Sequence, residues 1–114
     1  MRLKSMALAA LLVQPTTVFS HSKAEQTTPG NNTTVEAVEV IEIRFDDPMR
    51  VTAISLKGPD GDVAMERETG LDPVTEFRAL PAGTMGSGVY NVDWRGLSAD
   101  GHPMQGSFRF TVAE

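Results

Sequence analysis

The chain has no cysteine, one tryptophan, one tyrosine and two histidines among 114 residues. Without cysteine it has no disulfide, no thiolate metal site and no cysteine nucleophile. It also lacks a basic cluster and a second apolar stretch beyond the first twenty residues long enough to cross a bilayer. Nucleic acid and anionic membrane surfaces are therefore poor partners, and the product is expected to be soluble once exported.

What is present begins with an export signal. Arg2 and Lys4 form a positive n-region, Met6–Val13 a short apolar segment, and Val18-Phe-Ser20 places small residues where a signal peptidase reads. The expected division is 1–20 signal peptide and 21–114 mature domain. Cleavage removes two of the ten basic residues and none of the fifteen acidic ones, so the mature chain carries a net charge of −7. Its 94 residues suffice for one small domain with a modest core.

Cleavage after Ser20 would make His21 the first residue. A terminal histidine offers an α-amine and an imidazole Nδ1 that together chelate one metal ion. Their reference pKa values, about 7.7–8.0 and about 6.5, leave both available near neutral pH at small proton cost. The bland alternative is that His21 merely begins a floppy arm.

Two-residue periodicity dominates the rest. Ile41-Glu-Ile-Arg-Phe45 alternates apolar and charged residues, and Asp46-Asp47-Pro48 reads as its end. Val51–Lys57 is a second strand, closed by the turn Gly58-Pro-Asp-Gly61, with Val63–Met65 as a short return. Val74–Leu80 is a further strand, and Met65–Leu71 has room for one helical turn. Tyr90, Val92 and Trp94 share a face, as do Phe108, Phe110 and Val112. Residues 21–34 read as an extended polar arm. Short strands with Gly/Pro punctuation predict an antiparallel β-sandwich.

Asp100 and His102 lie two apart between the two clearest strands, where an extended backbone brings a carboxylate and an imidazole to one side. Asp-Gly followed by His-Pro is also an ordinary turn. Taken with His21, the donors are two imidazoles, one amine and one carboxylate. That nitrogen-rich set suits Cu(II), with zinc the main competitor. A serine hydrolase fits poorly, because Ser98 and Ser107 have no nucleophile-elbow context. Met49, Met65, Met85 and Met104 are scattered, as gap-filling residues are.

The run Gly88-Val-Tyr-Asn-Val-Asp-Trp-Arg-Gly-Leu-Ser-Ala-Asp-Gly-His-Pro-Met-Gln-Gly-Ser-Phe-Arg-Phe-Thr-Val112 resembles the C-terminal hallmark of CopC-like (PcoC-like) periplasmic copper-resistance proteins. Ile41–Pro48 resembles the family's early strand, and His21-Ser-Lys its mature start. The resemblance implies a small all-β Greek-key, immunoglobulin-like sandwich or barrel of seven or eight strands that binds one Cu(II). By motif position His21 would supply amine and imidazole, His102 a second imidazole, and Asp100 a ligand or a close hydrogen-bond partner. Asp47 falls where the family often has an acidic residue near the site.

This chain departs from the pattern in three places. Ala24-Glu25 replaces an apolar pair, which implies a less firmly docked arm. Met85–Gly88 looks inserted. The methionine-rich loop that some members use for Cu(I) has no counterpart between Val51 and Leu71.

The expectation is an exported periplasmic, monomeric Cu(II)-binding protein and not an enzyme. It would sequester copper or hand it to a membrane copper transporter or resistance partner. Two other classes remain: a metal-free immunoglobulin-like interaction module, and a small oxidative copper enzyme built on an N-terminal histidine.

Overall fold

A computed structural model describes residues 24–114, and among them every regular element is a strand. The strands are β1 (Ala24–Thr28), β2 (Thr33–Val35), β3 (Ile41–Gly58), β4 (Gly61–Val63), β5 (Met65–Arg67), β6 (Val74–Pro81), β7 (Gly88–Ser98) and β8 (Pro103–Val112). They form one continuous ladder in the order β2-β8-β7-β3-β6-β5, with β1 and β4 also paired to β3.

The organising element is β3, eighteen residues long. Asp46-Asp47-Pro48 does not end it. Arg44 pairs with Glu76 and Met49 with Val74, so five steps along β3 match two along β6 and three residues are extruded. Asp46, Asp47 and Pro48 are all exposed. A bulge leaves its extra residues without ladder bonds, which is where a proline with no N–H can stand inside a strand.

A second bulge lies between Val51 and Ala53, opposite Gly96 and Arg95. One extra residue inverts the alternation. Before it β3 buries Ile41, Ile43, Phe45, Met49 and Val51; after it β3 buries Leu56. The core is completed by Phe77 and Ala79 of β6, Tyr90, Val92 and Trp94 of β7, and Phe108, Phe110 and Val112 of β8. The two same-face triplets expected on β7 and β8 are therefore core.

Three local expectations change. Within the described residues the polar arm joins the sheet: β1 pairs antiparallel with β3, and β2 pairs parallel with β8. Ala24 packs against the core in spite of the Ala-Glu replacement. The sheet therefore holds one parallel pair among antiparallel ones. The helical turn expected at Met65–Leu71 is instead the strand β5 and a bend, because Met65, Glu66 and Arg67 pair with Pro81, Leu80 and Ala79.

Two features of β3 position the site. Ile43 pairs with Phe77 on one side and Thr27 on the other, and Met49 with Val74 on one side and Ser98 on the other. Since β6 holds one edge from Ile41 to Met49, β1 and β7 share the opposite edge there, end to end. Ala24 stands opposite Phe45 and Ser98 opposite Met49. Only the exposed 46–48 bulge separates the start of β1 from the end of β7.

Candidate metal centre

The β7–β8 hairpin closes through Ala99-Asp100-Gly101-His102. Gly101 takes a positive φ of 86°, which glycine adopts without steric cost. The loop is closed by backbone bonds: Ser98 N–H to the His102 carbonyl at 2.9 Å and Gly101 N–H to the Ser98 carbonyl at 2.8 Å.

On this loop the Asp100 carboxylate is held at both oxygens. The Ser98 hydroxyl donates to Oδ1, and His102 Nδ1 lies 2.9 Å from Oδ2. The Ser98 oxygen in turn accepts the His102 backbone N–H at 3.1 Å. The hydrogen bond from Ser98, then that from His102, hold the Asp100 carboxyl well below the usual carboxylate range, against a smaller opposing desolvation. Both side chains remain accessible, 61% exposed for Asp100 and 63% for His102.

A carboxylate on Nδ1 has a specific chemical effect. The imidazole, when neutral, carries its proton on Nδ1, so the lone pair that can bind a metal is on Nε2. Metal-binding histidines commonly have this partner, which fixes the tautomer and raises ligand basicity. With one oxygen on Ser98 and the other on His102, Asp100 is arranged as a support of the His102 ring.

Of the four residues singled out in the sequence, the structure brings Asp100 and His102 together. Asp47 sits in the exposed 46–48 bulge, two residues before Met49, the partner of Ser98. It is thus at the same end of the sheet. Among the described residues no cluster of three or more His, Cys, Asp or Glu side chains is placed to hold a metal ion, so Asp47 does not join the pair in one. His21 lies outside the described residues. The residue that sequence reasoning passed over is Ser98. Its signal was available: counting in twos from Trp94 places Ser98 facing inward, where a hydroxyl needs partners.

Residues 24–113 match the family model of the CopC domain. The chain belongs to the CopC family. Escherichia coli copper resistance protein C is 30% identical over 105 residues, which cover 82% of this chain and 82% of that one. The Bacillus subtilis copper transport protein CutJ is 26% identical over 117 residues, covering 94% of this chain but only 21% of that longer protein. The crystal structure of CopC from Methylosinus trichosporium OB3b superposes with a TM-score of 0.69 at 29% identity, over 82% of this chain and 94% of that one. The expected all-β sandwich is therefore the CopC fold.

Proposed function

We propose that this CopC-family chain is exported to the periplasm, is cleaved after Ser20, and binds one Cu(II) between His21 and His102. The observation that carries this reading is the Asp100–His102 pair, with Nδ1 committed to the carboxylate and ligation left to Nε2. The edge of β3 supplies the second support. Ala24 begins β1 opposite Phe45, and four residues further along that edge Ser98 closes β7. The chain leading from His21 therefore enters the sheet at Ala24, next along that edge to the end of the strand that leads to His102.

On this reading the α-amine and imidazole of His21 and Nε2 of His102 are the donors. Asp100 holds the His102 ring, and Asp47 is an outer carboxylate at the same end. Nitrogen donors in such a set favour Cu(II) over the other divalent first-row ions. Copper is cargo here, and the protein is not an enzyme: it sequesters the ion or passes it to a membrane copper transporter or resistance partner. The match of this domain to about a fifth of a chain named for copper transport is consistent with delivery.

The test compares protein beginning at His21 with a form carrying one extra glycine before it, which converts the amine to an amide. Cu(II) titration is followed through the single tryptophan, Trp94, four residues before Ser98 on β7. Cu(II) is paramagnetic and quenches nearby emission, whereas Zn(II) has a filled d shell and does not by that route. The His21-start form should quench with a 1:1 endpoint. The extended form should bind about tenfold more weakly or worse, a difference of about 1.4 kcal/mol or more. Equal affinities would rule out the amine.

A further inference from the structure

Successive inward positions of β7 are Tyr90, Val92, Trp94, Gly96 and then Ser98, which is 7% exposed. A hydroxyl where its predecessors are apolar or glycine is costly unless it is paired. Ser98 is paired twice, accepting from the His102 backbone N–H and donating to Asp100 Oδ1. A hydroxyl has one proton to give. Here it goes to the carboxylate.

Turn closure does not account for that bond, since the two backbone hydrogen bonds across the loop already close it. A carboxylate–imidazole contact between side chains more than 60% exposed gains little on its own. The one member of the chain Ser98–Asp100–His102 fixed in a buried strand is Ser98. The geometry points to Ser98 as a positioning residue for copper: by pinning one oxygen of Asp100 it aims the other at His102 Nδ1 and so selects Nε2 for the metal. The inference rests on the reading of His102 as a copper ligand.

The experiment uses protein with its His21 start, as wild type, Ser98→Ala and Ser98→Thr. Nitrogen-15 NMR of the metal-free forms, at a pH well above about 6.5 so that imidazole is neutral, reads the tautomer of His102 directly. Wild type should hold the proton on Nδ1. Ser98→Ala should move it toward Nε2, the site preferred by imidazole in water, and should lower Cu(II) affinity by about 10–100-fold. Ser98→Thr, which keeps the hydroxyl, should restore both. An unchanged tautomer in Ser98→Ala overturns the proposal, whether or not affinity falls, since affinity alone could drop through a local packing change. In the unmodified protein the Ser98 hydroxyl proton should exchange slowly with solvent; rapid exchange overturns the proposal without any variant. His102→Ala is run in parallel. If it leaves copper affinity unchanged, the ligand assignment fails, and the NMR arm still decides whether Ser98 orients the ring.

Discussion

Gly106 stands directly across the β7–β8 ladder from Trp94, and a Cβ built on it would lie 2.8 Å from Cζ2 and Nε1 of the indole. The ring has little freedom to yield. It is buried, and it meets Phe45 edge-on with centroids 5.1 Å apart. Gly106→Ala should therefore destabilise the protein by about 1–3 kcal/mol, the usual cost of overpacking. Denaturant unfolding followed by Trp94 fluorescence measures it. A loss within about 0.5 kcal/mol, as for an ordinary surface change, would mean that the indole moves aside easily.

The carboxyl of Asp100 gives a pH dependence with a defined sign. Its pKa is lowered in the folded chain by Ser98 and His102. The folded state therefore holds the ionised form more strongly than the unfolded state does. The resulting stability is present above the unfolded value of about 3.9 and is lost as pH falls below it toward the folded one. Metal-free wild type should exceed Asp100→Asn in melting temperature at neutral pH, and the gap should close below about pH 4. A gap that stays constant from neutral to strongly acid solution would contradict the assignment.

Arg67 fastens the bend after β5. Its guanidinium donates to the carbonyls of Val51 at 2.6 Å, Gly70 at 3.0 Å and Thr69 at 3.1 Å, and lies 5.0 Å from the centroid of the Phe77 ring. Planar donation in three directions with stacking is an arginine property that lysine does not reproduce. Arg67→Lys should leave the 68–73 segment more open to proteolysis and lower stability by about 1–3 kcal/mol. Limited proteolysis with mass mapping locates the first cut, and cutting elsewhere at the same rate as wild type would refute this role.

Much of the fold was legible because burial on one face writes a two-residue period into the chain. Tyr90-Val92-Trp94 and Phe108-Phe110-Val112 could be read that way, and so could Ile41-Ile43-Phe45. The reading failed where a bulge breaks the period. Asp46-Asp47-Pro48 has the composition of a turn, yet the strand resumes beyond it because a bulge takes up the extra residues and the register is regained at Met49. The parallel pairing of β2 with β8 joins segments more than seventy residues apart and left no local mark on Thr33–Val35. In the site, Asp100 and His102 do meet, but on the turn that Asp-Gly followed by His-Pro also allowed and not on the extended backbone that the two-residue spacing assumed. The part played by Ser98 was missed because a serine was considered as a nucleophile and not as a buried donor.

The length of β3 has a consequence for how the domain comes apart. Four strands pair with it directly, and β2, β8 and β5 are tied in through β7 and β6. The β1–β6 region and the β7–β8 hairpin are thus two stretches of one spine. Neither is a sub-domain with a backbone of its own. Separating them would tear the same eighteen residues from partners on both edges, so opening at one end propagates to the other. Unfolding is expected as a single all-or-none event, with no surviving half.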